Sequence, residues 1–169
     1  MPLVPAVRLL KHAQANAYAV PAFNFHDWVD LQAIIAAAEA EAAPLILMAS
    51  EGTIRFAGFS YIEGLATAAA QETTIPFALH LDHGRQLDNI VRSVRHGFTS
   101  VMFDGSHLDF DENIRLTSWV ADMAHRVGMS VEGELGQIPG AEDDVSVSAK
   151  EAGMTDPGRV AEYVEKTGV

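Results

Sequence analysis

Apolar positions along this chain fall into two alternating patterns. Short unbroken runs suited to buried strands are separated by longer stretches with apolar residues at helical spacing. Val7, Leu10 and Ala13 predict a helix over 4–15 that precedes the first strand. Residues 18–25, YAVPAFNF, predict that strand, made irregular by Pro21. Asp27 is a fair N-cap for an Ala-rich helix running to about residue 42, and Pro44 opens a second strand, PLILMAS. Residues 51–59 read as a loop bounded by glycines and 61–73 as a helix; Pro76 starts a third strand, FALHLDHG over 77–84. A helix over 87–96 ends at Gly97, a fourth strand covers 98–103, and a helix over 114–127 ends at Gly128. The fifth strand, 129–135, leads into a long polar stretch, 136–153. Asp156 caps a last helix, and Val169 has the character of the first residue of a further strand.

Strands separated by crossovers long enough for a helix are parallel, so the pattern leaves a (β/α) barrel or an open doubly wound sheet. The strand ends favour the barrel. Asn24, Ser50, Asp82 with His83, Asp104 and Glu134 stand at or just past the carboxyl ends of five successive strands. An open sheet gathers its ligand at one switch point, whereas a closed barrel brings every strand end to one axis. On the residues alone a closed (β/α) barrel is favoured over the open sheet, with about five βα units after an N-terminal helix, in one domain over 1–169.

Composition narrows the chemistry. A net charge of −12, from 11 basic and 23 acidic residues, argues against nucleic acid or an anionic membrane as partner. Any anionic ligand therefore needs local counter-charge from a metal, helix N-termini or a few placed Arg or Lys. With no cysteine there is neither a disulfide framework nor a thiolate site, which leaves His and carboxylates as metal ligands. No unbroken apolar run reaches transmembrane length, and residues 1–14 lack the form of a signal peptide; the chain reads as soluble and cytoplasmic.

Each candidate residue also has a plain structural reading. Asp82 could cap the next helix, His83 could be a satisfied half-buried histidine, and Asp104 could begin a turn with Gly105. His80 shares strand parity with Asp82 and could support it by hydrogen bonding. Glu132 and Glu134 are harder to dismiss. Two apart in an apolar strand, they face one side, and burying both without a cation is costly. His12, His26, His96 and His125 read as solvated or capping groups, Ser106 and His107 as loop residues, and Glu142, Asp143 and Asp144 as an acidic loop. Trp28, Trp119 and the methionines are expected to pack helices against the sheet.

Five ordered segments carry a family resemblance: VPAFNF, ALHLDHG, VMFDGSHLDFDENI, VEGELGQIPGAEDD and TDPGRVAEYVEKTGV. Together they resemble the class II, zinc-dependent ketose-bisphosphate aldolases, in the tagatose/fructose-bisphosphate branch, over essentially the whole chain. The resemblance implies a TIM barrel and reversible cleavage of a ketose 1,6-bisphosphate to dihydroxyacetone phosphate and glyceraldehyde 3-phosphate. It further implies a small sugar-phosphate substrate in carbohydrate metabolism and a homo-oligomer, dimer or tetramer.

By that resemblance His83 matches a ligand of the catalytic Zn2+, and Asp82 the acid/base acting on the sugar hydroxyl. Asp104 and Glu134 match carboxylates of a second or alternative cation position, divalent or monovalent. Glu142 matches a loop carboxylate that moves the proton on the three-carbon product, and Asn24 and Ser50 match groups lining the substrate site. The family pattern continues with further zinc histidines and phosphate-binding segments that this sequence does not contain. The expectation is an N-terminal portion of about five-eighths of such an enzyme, inactive by itself. Two other readings stay open: a non-catalytic aldolase-like subunit, and another metal-dependent sugar-phosphate lyase or epimerase on the same barrel.

Overall fold

A computed structural model describes residues 2–137, 139–142, 145–148 and 153–169, with the backbone alone for 141–142 and 145–147. Five strands, β1 (Ala22–Asn24), β2 (Leu45–Ser50), β3 (Phe77–Gly84), β4 (Ser100–Phe103) and β5 (Ser130–Gly133), form one parallel sheet. Their order in the sheet is their order in the chain. Helices α1 (Ala6–Ala15), α2 (Trp28–Ala40), α3 (Glu51–Ala57), α4 (Phe59–Glu72), α5 (Leu87–Arg95), α6 (Phe110–Arg126) and α7 (Pro157–Thr167) precede, connect or follow them. Consecutive parallel strands joined by helical crossovers are the repeating unit of a barrel wall. A separate antiparallel ribbon, β6 (Gly140–Glu142) with β7 (Val145–Val147), lies within the polar stretch 136–153, for which no strand is expected.

Strand register divides the sheet into two faces of different chemistry. Leu45, Leu47 and Ala49 of β2, Phe77, Leu79 and Leu81 of β3, and Val101 and Phe103 of β4 are buried in one cluster with Leu31, Ile62, Ile90 and Val120 from the helices. Each large side chain so buried contributes about 1.5–3 kcal/mol. The residues between them share the other face: Asn24 pairs with Met48, Met48 with His80, His80 with Ser100, and Ser50 with Asp82. Helix α1 covers the beginning of that face, setting Ala6 and Leu9 on Ala78, while Ser130 Oγ accepts a hydrogen bond from Val7 N at 2.9 Å. The polar groups are left to the carboxyl ends of the strands.

Helix caps explain where the elements depart from expectation. Residues 51–59 are not a loop: Ser50 Oγ accepts from Thr53 N at 3.2 Å and opens α3, which Gly58, at φ +87°, separates from α4. Helix α6 begins four residues earlier than its apolar spacing suggests, because the Asp109 carboxylate accepts from Glu112 N at 3.0 Å. The first strand is confined to Ala22–Asn24, after Pro21. Trp28 and Trp119 do not pack against the sheet; both are about half exposed on the outer sides of their helices.

Candidate functional site

The site grows from an irregularity in β3. Leu81 pairs with Val101 and Gly84 with Phe103, so that Asp82 and His83 together stand opposite Met102. One extra residue in a strand is a bulge, and His83 takes it up at φ +48°. In a regular strand neighbours point to opposite faces, which would send His83 toward the helix-packed core beside Leu81. The bulge instead brings its imidazole to the polar face, where it lines the same cavity as Asp82. A left-handed backbone at a residue with a side chain costs about 1–3 kcal/mol and persists only where the surroundings hold it. Gly84 is part of that hold. A Cβ there would lie 2.7 Å from Ile90 Cδ1 and 2.8 Å from Met102 O.

The cavity, about 450 Å³, is lined by Asn24, Ser50, Asp82, His83 and Arg85, with Arg55 at the same opening. Asn24 Nδ2 donates to Asp82 Oδ2 at 2.8 Å, which fixes the carboxylate across from the histidine. Asp82 does not cap α5, whose N-cap is Gln86. Ser50 is buried and its hydroxyl caps α3 while facing the cavity. Glu51 Oε1 accepts from Gln86 N at 3.1 Å and Asn89 Nδ2 at 2.9 Å, tying the loop after β3 to the start of α3.

Beside the cavity, His83, Asp104 and Glu134 converge. Their donor atoms all lie within 4.8 Å of one another. His83 Nδ1 is 3.2 Å from Asp104 Oδ2 and 3.4 Å from Glu134 Oε2. The hydrogen bond to Asp104, reinforced by the charges of Asp82 and Glu134, outweighs burial and raises the His83 pKa to about 9. Asp104 is 1 % exposed. Burial works against its charge, but His83, Ser106 and Arg85 more than offset this and hold the carboxyl well below the usual range. One imidazole and two carboxylates in this spacing are a donor set that a divalent cation can use.

Behind them, His80 is buried with Nδ1 2.8 Å from Ser100 Oγ. Burial lowers its pKa to about 4, so its 3.8 Å approach to Glu132 is a contact of a neutral imidazole, not an ion pair, near neutrality. Glu132 and Glu134 thus share a face, as their spacing implied, each beside a histidine of β3, but they are not both buried: the Glu132 side chain is 62% exposed.

The structure therefore gathers Asn24, Ser50, Asp82, His83, Asp104 and Glu134 at one end of the sheet. Glu142 lies in β6 with its side chain outside the described residues, as do Asp143 and Asp144 entirely. Sequence reading missed three supporting residues. Ser106 gives Asp104 Oδ1 two hydrogen bonds, from N at 3.1 Å and Oγ at 2.6 Å. Arg85 Nε donates to Asp104 Oδ2 at 2.7 Å. Asn113, buried on α6, donates to the Glu134 carbonyl at 2.8 Å and accepts from Thr117 and Tyr163. A polar residue at a core-facing position of α6 was the one available signal for Asn113.

The sequence profile of the family described as fructose-bisphosphate aldolase class-II matches residues 4–169. Among solved structures, the YdjI aldolase of Escherichia coli K12 superposes with a TM-score of 0.83 at 34% identity, over 98% of this chain and 58% of its own. A Coccidioides immitis protein provisionally assigned as a fructose-1,6-biphosphate aldolase gives 0.86 at 32% identity, over 95% and 57%. The fructose-bisphosphate aldolase of Campylobacter jejuni shares the fold at 0.79 and 23% identity, over 96% and 53%. The chain thus spans less than six-tenths of the length of each.

Proposed function

The chain belongs to the class-II fructose-bisphosphate aldolase family, and on that premise we propose that the whole protein reversibly cleaves a ketose 1,6-bisphosphate, fructose or tagatose, to dihydroxyacetone phosphate and glyceraldehyde 3-phosphate. The observation that carries the reading is the β3 bulge, which sets His83 among Asp104 and Glu134 while Asp82 shares its cavity. His83 is the proposed ligand of a catalytic Zn2+, with Asp104 and Glu134 as the carboxylates of the cation site. Such an ion supplies, when bound, Lewis acidity for the negative charge that develops as the carbon–carbon bond breaks.

The remaining work falls to the protein. Asp82, held by Asn24, takes the proton of the hydroxyl on the aldehyde side of the scissile bond. That oxygen becomes the aldehyde carbonyl, and the bonding pair stays with the three-carbon half. Glu142 is proposed to deliver the proton that this carbon then accepts. Asn24 and Ser50 line the substrate cavity. No helix among the described residues is long and apolar enough to cross a membrane; a cytoplasmic homo-oligomer, dimer or tetramer, is the form proposed.

The test is release of dihydroxyacetone phosphate from fructose and tagatose 1,6-bisphosphate by the zinc-loaded whole protein. Release from at least one is expected, reduced about 10²–10⁴-fold in Asp82→Ala, the range for a positioned acid/base. Cleavage of neither sugar, or full activity in Asp82→Ala, would contradict the assignment.

A further inference from the structure

Asp104 already uses every site its carboxylate offers. An ionised carboxylate presents about four lone-pair positions. Oδ1 takes two hydrogen bonds from Ser106, and Oδ2 takes one from His83 Nδ1 at 3.2 Å and one from Arg85 Nε at 2.7 Å. A cation reaching this buried group must therefore displace a donor. Ser106 is held by its own backbone two residues away, and His83 becomes a ligand by giving up its Nδ1 proton, which opens one position on Oδ2 but leaves Arg85 on that same oxygen. Arg85 is different. It carries its charge on a long side chain that is 30% exposed, and it borders the cavity into which it could withdraw. Among the described residues Asp104 is its one hydrogen-bond acceptor.

We propose that Arg85 is a built-in cation for Asp104 which competes with a divalent cation for the His83, Asp104 and Glu134 cluster, so that the site fills only as the guanidinium leaves Asp104 for the cavity. Two cations cannot share Oδ2 at these distances without strong repulsion. Arg85 thereby sets how tightly the cluster holds a cation, and together with protonated His83 it offsets the charge of the buried carboxylate when none is bound. The inference rests on the reading of this cluster as a cation site and adds to it a residue that lowers affinity instead of supplying a ligand.

The experiment is equilibrium dialysis of the whole protein against Mn2+ and against Zn2+, with bound metal measured directly, for wild type, Arg85→Ala, Arg85→Gln and Asp104→Asn. Circular dichroism of each variant verifies that the fold is kept, and the Gln variant retains bulk if Ala does not fold. Both Arg85 variants are expected to bind about tenfold to a hundredfold more tightly, the equivalent of one charge-assisted hydrogen bond. Asp104→Asn should remove that gain when combined with Arg85→Ala. Equal or weaker binding in the Arg85 variants, with wild type binding metal, would overturn the competition and leave the cation site standing. No binding by any variant at millimolar metal would overturn both.

Discussion

His83 Nδ1 meets Asp104 Oδ2 at 3.2 Å, joining the bulged end of β3 to the residue just past β4. Without a metal this is a charged pair, because the same contact that orients the imidazole also raises its pKa to about 9. A metal binding through Nδ1 would have to displace that proton.

Stability of the metal-free chain should accordingly peak near pH 6.5. His83 binds its proton more tightly folded than unfolded, so its contribution is complete below 6.5 and is lost as pH rises through about 9. His80 acts in the opposite sense. Held neutral by burial down to about 4, it destabilises the fold as pH falls from 6.5 toward 4, by about 3 kcal/mol in all. Urea titrations from pH 4 to 9.5 should show both limbs; His80→Gln should flatten the acid limb and His83→Gln the alkaline one.

Gly84→Ala should destabilise by about 1–3 kcal/mol, since the added methyl meets Ile90, Leu81 and the Met102 carbonyl at under 3 Å. The disturbed residue follows the bulge directly, so metal affinity should fall along with the urea midpoint. A variant that loses stability yet binds metal as before would separate the bulge from the site.

Asn113→Ala should cost about 1–3 kcal/mol by leaving buried partners without their hydrogen bonds. Its amide holds the Glu134 carbonyl, and so sets where that carboxylate begins. Thermal melts should drop while the secondary structure content is kept. Tyr163→Phe, which leaves Asn113 bonded to Thr117 and Glu134, should cost less.

The parallel order, every helix but α3, and the polar strand ends could be read from the sequence pattern. Pro44 and Pro76 mark strand starts, Gly97 and Gly128 mark helix ends, and the two carboxylates of VEGEL must share a face. What spacing could not reveal is the direction of His83. Period-two alternation sends it away from Asp82, and only the pairing of Gly84 with Phe103 exposes the extra residue. Arg85 was equally hidden, since nothing local links it to Asp104, 19 residues away. The helix over Glu51–Ala57 stays hidden because Ser50 reads as a site residue and not as a cap; it is placed to do both.

The central claim is that His83, Asp104 and Glu134 hold a cation while Asp82, in the same cavity, does not. Co2+ reports this directly, because its visible absorption bands change in energy and intensity when protein ligands replace water. Titrating the chain with Co2+ should give a bound-state spectrum that His83→Ala, Asp104→Asn and Glu134→Gln each abolish and that Asp82→Ala retains. Loss of the spectrum in Asp82→Ala, or its persistence in both Asp104→Asn and Glu134→Gln, would contradict the account.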